Sequence, residues 1–134
     1  MKKWLVSGFL SGLAIFVLSN FASFFSQAIF SYNVLALGGM RSINDSVMFL
    51  FFVYPWVLGF ALSWLYLKVK NSFKGDYLVK GRDFGFCTWL VAGLPSAFLV
   101  FSSMNYPLGF TINSVLGSLV YFIVAGVVIT KFSD

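Results

Sequence analysis

Hydrophobic positions run in long unbroken blocks along this chain. Residues 4–40, 46–67 and 84–130 contain no charged side chain, and every charge falls in the short intervals between and beside them. A helix rises about 1.5 Å per residue and needs about 20 apolar residues to cross the hydrocarbon of a bilayer. The first two blocks therefore hold one span each. The third is long enough for two, and Asn105-Tyr106-Pro107-Leu108-Gly109 divides it with a turn signal near its middle. The pattern predicts spans over 4–28, 47–67, 84–104 and 109–130 in one domain, residues 1–134, with a longer loop at 68–83. The fold class that follows is an all-α membrane protein, an antiparallel four-transmembrane-helix bundle. Pro55 and Pro95 fall inside spans, where each removes a backbone donor, so local bends are expected at both.

Composition agrees with the pattern. The chain is 60% hydrophobic, 21% aromatic and 10% charged, with a mean hydropathy of +0.91, outside the range of soluble domains. Charge adds a direction. Lys2, Lys3, Lys68, Lys70, Lys74, Lys80, Arg82 and Lys131 fall on one face of four alternating spans, and Arg41 alone on the other. The positive-inside rule then places the chain in the plasma (inner) membrane with the N-terminus and C-terminus cytoplasmic. Within 68–83, Lys68, Lys70, Lys74, Lys80 and Arg82 are placed to touch anionic lipid headgroups, at about 1 kcal/mol each. Topology alone would select the same charges, and nucleic acid is not an expected partner. Asp83 is expected to cap the third span and Asn44-Asp45-Ser46 to cap the second.

The first and third spans share a pattern. Trp4-Leu5-Val6-Ser7-Gly8 lines up with Trp89-Leu90-Val91-Ala92-Gly93, and the match continues to Asn20 and Asn105. Both segments run in the same direction, so a duplication would give two parallel repeats of two helices. Chance identity between apolar helices is the other reading. Small residues spaced one helical turn apart, Gly8 with Gly12, Gly93 with Ala97 and Ser114 with Ser118, let helix backbones approach. They suit contacts inside the bundle or between copies.

The chemical inventory is mostly negative. The chain has no His and no Glu, and Asp45, Asp76, Asp83 and Asp134 all lie outside the predicted hydrocarbon region. No span carries the embedded ionisable group that marks proton relays and cation coupling. The hydroxyls and the single Cys87 have no base beside them in the sequence, so no catalytic residue, cofactor or metal site is expected. Uncharged polar groups remain toward the outer side: Asn20 and Gln27 on one helix face, Asn105, and Asn113. They form a candidate outer polar pocket for a neutral or weakly charged ligand. The competing reading is hydrogen bonding between helices.

Lys80-Gly81-Arg82-Asp83-Phe84-Gly85-Phe86, with Trp89-Leu90-Val91, Leu94-Pro95 and Ser103-Met104-Asn105-Tyr106-Pro107-Leu108-Gly109-Phe110, resembles a family of small uncharacterised prokaryotic four-span membrane proteins. The resemblance implies the four-span fold and brings no activity with it. It does not extend to the small multidrug transporters, whose first span carries an embedded Glu, nor to the fluoride channels. The expected function is a non-enzymatic assembly, accessory or interaction component that works with the lipid bilayer, as a homo-oligomer or beside a membrane-protein partner. The alternative is a homo-oligomeric small channel or transporter for a neutral or weakly charged solute.

Overall fold

The computed structural model describes residues 2–134. The chain forms four helical spans, Lys2–Phe30, Ser46–Ser72, Tyr77–Ser103 and Leu108–Ser133, each long and apolar enough to cross a membrane. The first span is one continuous helix, α1 (Lys2–Phe30), ended by Ser31 in the left-handed region at φ 53°. The second begins with a 3-10 turn at Ser46–Met48 and continues as α2 (Phe49–Val69), which runs through Pro55 without a break. The third comprises α3 (Tyr77–Thr88), a π turn at Trp89–Gly93 and α4 (Leu94–Ser103). The fourth comprises α5 (Leu108–Ile112), a second π turn at Asn113–Gly117 and α6 (Ser118–Ser133). No strand occurs among the described residues, and the spans form a helical bundle.

The third helix starts at Tyr77, earlier than the predicted boundary near 84. Gly75, at φ 107°, turns the chain, and the Asp76 side chain accepts from the Val79 N–H at 3.0 Å. Asp76, and not Asp83, is therefore the cap. Asp83 sits inside α3 and pairs with Arg82 at 2.9 Å. Charged side chains are costly in hydrocarbon but not in a helix, so α3 extends beyond the apolar block that marked the span.

The two hairpins repeat the same contacts. In the first, Gly59 lies against the Gly8 carbonyl and the Gly12 amide; in the second, Gly126 lies against the Gly81 carbonyl and the Gly85 amide. Ser63 Oγ donates to the Trp4 carbonyl at 3.2 Å, and Thr130 Oγ1 donates to the Tyr77 carbonyl at 2.7 Å. These pairs match Trp4-Leu5-Val6-Ser7-Gly8 to Tyr77-Leu78-Val79-Lys80-Gly81, not to Trp89–Gly93. The Trp4–Trp89 register fails on depth. Trp89 lies ten residues further into its span than Trp4, about 15 Å along the axis.

The hairpins meet through α1 and α6, which pack along most of their length. At the end that carries the termini and the 73–76 turn, called here the basic end, the bundle closes. Ser7, Ser63 and Ser133 form a buried hydroxyl cluster across α1, α2 and α6, with Ser133 Oγ donating to Ser7 Oγ at 2.9 Å. One carboxylate joins helices as well: Asp134 accepts from Tyr66 Oη and from Lys80 Nζ, both at 3.1 Å, while its carbonyl accepts from Lys3 Nζ at 3.3 Å. Above this layer, Ile15, Leu62, Phe84, Phe122 and Ile129 make an apolar core.

Candidate functional site

The bundle does not stay closed. At the basic end the second and third spans approach through Tyr66 and Phe84, whose rings are 5.1 Å apart and T-shaped, and Phe73 joins them at 5.8 Å. Farther along, α2 and α4 diverge, and a cavity of about 820 Å³ opens between the four spans. Its floor is the core at Ile15 and Phe122. Its walls include Ser19 and Ser23 of α1, Tyr54 and Leu58 of α2, Ser96 and Ala97 of α4, and Ser114 and Tyr121 of the fourth span. The first loop covers the far end with Val34, Leu35 and Met40. α2 and α4 both line the cavity but pack little against each other, and Phe51, Phe52, Tyr54 and Ser96 beside that gap are exposed.

Both π turns stand in this wall. A π turn inserts one residue into the regular ladder, widens the helix and re-aims nearby side chains. The turn at Trp89–Gly93 precedes Pro95, which has no N–H to offer the Val91 carbonyl, so the ladder has already shifted by one residue before the proline. The Trp89 indole crosses from the first π turn to the second, donating to the Val115 carbonyl at 3.2 Å and to Ser118 Oγ at 3.0 Å. Among the described residues the first hairpin has no π turn, which is where the likeness between hairpins ends.

Of the four predicted pocket residues, Asn20, Gln27 and Asn113 line the cavity, and Asn105 lies outside it, exposed in the loop before α5. Their states differ. Gln27 is spent on structure: its Nε2 donates to Ser23 Oγ at 3.0 Å, and its Oε1 accepts from the Val34 N–H at 2.8 Å, holding the first loop against α1. Asn20 donates to its own helix at the Phe16 carbonyl, 2.7 Å away. Asn113 has no protein partner among the described residues. Tyr54 and Tyr121 also line the cavity without protein partners and were not picked out from the sequence. They occupy matching places in the two hairpins, five residues before Gly59 and Gly126, and that match was the available signal.

The small residues divide similarly. Gly8 and Gly12 are buried against Phe60, Trp56 and Gly59 of α2. Gly93 and Ala97 line the cavity, Ser114 bonds back to the Phe110 carbonyl, and Ser118 receives the Trp89 indole. The glycines that join the second hairpin, Gly81, Gly85 and Gly126, had no part in the sequence reading. Among the five basic residues expected at lipid headgroups, Lys80 is paired with Asp134 and Arg82 with Asp83. Lys68 lies over the Trp64 ring at 5.6 Å, and Lys70 and Lys74 have no acidic partner among the described residues.

Outside the spans, Asp45 caps the second helix by accepting from the Val47 N–H at 2.9 Å. That bond, and then the Arg41 guanidinium at 3.0 Å, hold its carboxyl below the usual carboxylate range. The cap therefore favours the fold at neutral pH and loses its contribution as the pH falls through the lowered value. No group of three His, Cys, Asp or Glu side chains that could hold a metal occurs among the described residues. Searches against family models, curated proteins and solved structures give no significant match.

Proposed function

We propose that the protein is a non-enzymatic multi-pass membrane protein of the plasma membrane, an accessory component that takes up a membrane-soluble molecule sideways from the leaflet bordering its cavity. The observation that carries this reading is the shape of the cavity. Its floor is the buried core at Ile15 and Phe122, and α2 and α4, which line it from two sides, pack little against each other, so the gap between them is taken as its opening. A solute crossing the membrane would need a continuous path, whereas a molecule already in the bilayer needs only the side opening. The volume of about 820 Å³ lies in the range of about 300–1,000 Å³ typical of small-molecule sites. The α2 side chains along that gap are apolar and exposed, with Phe51 52% and Phe52 39% accessible.

Ser96 supplies the test. It is exposed on the cavity wall, and its hydroxyl bonds only to the Ala92 carbonyl of its own helix. Ser96→Trp should fill the opening without disturbing the core. After extraction in mild detergent, native mass measurement should find the wild type carrying a lipid-sized adduct and the equally stable Ser96→Trp protein without it. A wild type that flies bare, or a variant that keeps its adduct, sinks the reading.

The basic end faces the cytoplasm in this proposal, supported by eight of nine Lys/Arg lying there. A Lys74→Cys probe in a Cys87→Ser background should resist an impermeant thiol reagent added to intact cells and react once the membrane is permeabilised. Ready labelling from outside would reverse the orientation.

A further inference from the structure

Most polar groups of the cavity wall fall into two sets; Asn20 lies between them, its Nδ2 donating to the Phe16 carbonyl at 2.7 Å while its Oδ1 has no protein partner among the described residues. Those of the first set are already satisfied. Ser19 donates to the Phe16 carbonyl at 3.1 Å, Ser96 to Ala92 at 2.6 Å and Ser114 to Phe110 at 2.9 Å, and Gln27 is used in holding the first loop. The second set is the Asn113 carboxamide and the Tyr54 and Tyr121 hydroxyls, which face the cavity with no protein partner among the described residues. In a bilayer this is an expensive arrangement, because an amide or hydroxyl held in hydrocarbon without a hydrogen bond costs about 2–7 kcal/mol. All three remain accessible, Tyr54 at 53%, so an occupant of the cavity is in reach to satisfy them. No Asp, Glu, Lys or Arg is among the residues that line it, so a charged head would enter without a counter-charge and at a far higher cost.

We infer that the occupant is one uncharged lipid whose head carries hydroxyl or carbonyl groups, held by Asn113, Tyr54 and Tyr121, and that phosphate-bearing lipids are excluded. This rests on the sideways uptake proposed above and adds a rule for selecting the head. Asn113 can both donate and accept, and each phenol can do either, so a head with both functions pairs with all three. The chain of the lipid lies against Leu58, Ala97 and Phe122. Charge, not size, is the basis of exclusion.

Binding can be compared for two probes with the same chain, monooleoylglycerol and the oleoyl lysophosphatidylglycerol, using delipidated full-length protein and native mass measurement. The uncharged probe should bind at least about tenfold more tightly than the charged one. The Asn113→Leu protein and the Tyr54→Phe/Tyr121→Phe protein should each lose about tenfold in affinity for monooleoylglycerol, the sum expected of one or two hydrogen bonds. Neither change should alter binding of the charged probe. Equal binding of both probes, displaced by Ser96→Trp, would overturn the head-group rule and leave sideways uptake standing. Preference for the uncharged probe with no loss in either variant would overturn the assignment of these residues, with water as their partner. If neither probe binds and no adduct is found on the wild type, both proposals fail together.

Discussion

Gly59→Leu should abolish the folded bundle, and Gly126→Leu should do the same from the other hairpin. A Cβ at Gly59 would stand 2.6 Å from both the Gly12 nitrogen and the Gly8 oxygen, and 2.8 Å from the Gly12 Cα. All three are backbone atoms of α1. No side-chain rotation relieves the contact, so the helices must part. Gly126 is placed alike, with the Gly85 nitrogen 2.9 Å and the Gly85 Cα 3.1 Å from a built Cβ and the Gly81 carbonyl closer still. Association of helices in lipid depends on close van der Waals contact, with no hydrophobic gain from hiding one apolar face on another, so a forced separation has little to offset it. Even Gly59→Ala and Gly126→Ala should each lose about 1–3 kcal/mol, the usual cost of overpacking, read from reversible unfolding in mixed micelles. Gly38, with nothing within 4 Å of a built Cβ, is the control: Gly38→Ala should unfold like the wild type. A wild-type unfolding curve for Gly59→Leu would remove the glycine contact as the basis of the hairpin. Matching losses at Gly59 and Gly126 would bear out the register that relates the hairpins.

That register explains what could and could not be read from residues alone. The number of spans follows from charge-free length, which physical chemistry ties directly to bilayer thickness, and no packing detail can change it. Helix ends are less accessible, because the same charges that leave the hydrocarbon remain welcome in a helix. Lys80, Arg82 and Asp83 therefore hid the first turns of α3 and, with them, the Gly81–Gly85 contact face. The likeness of Trp4–Gly8 to Trp89–Gly93, which chance identity could also produce, misplaces the repeat for a related reason. Trp4-Leu5-Val6-Ser7-Gly8 resembles both Tyr77-Leu78-Val79-Lys80-Gly81 and Trp89-Leu90-Val91-Ala92-Gly93, and identity favours the second because it ignores depth. Only the glycine contacts and the paired Ser63 and Thr130 bonds decide between them. The cavity was half visible. Asn20, Gln27 and Asn113 stand out as amides in apolar helices, but whether each is free depends on neighbours that the sequence does not specify. Gln27 turns out to be consumed by the loop, and the two tyrosines are free.

Trp89 should be the most costly side chain to remove around the cavity, and a graded pair of substitutions separates its two roles. It is 8% accessible and part of the core, so Trp89→Ala should lose about 3–5 kcal/mol, as expected for truncating a buried tryptophan. Trp89→Phe keeps most of the packing and removes the indole N–H that reaches Val115 and Ser118. It should lose only about 0.6–1.5 kcal/mol, the range for one hydrogen bond in such settings. The larger effect of Trp89→Phe should be local. The indole ties one π turn to the other, and Asn113 stands at the start of the second, so its direction toward the cavity depends on a ladder kept out of regular α form. Without the tie, amide exchange across 113–118 should quicken while α1 and α2 stay protected, and affinity for monooleoylglycerol should fall although no lining residue has changed. If Trp89→Phe leaves exchange across 113–118 untouched, the indole is packing alone, and the π turns are held by the rest of the wall.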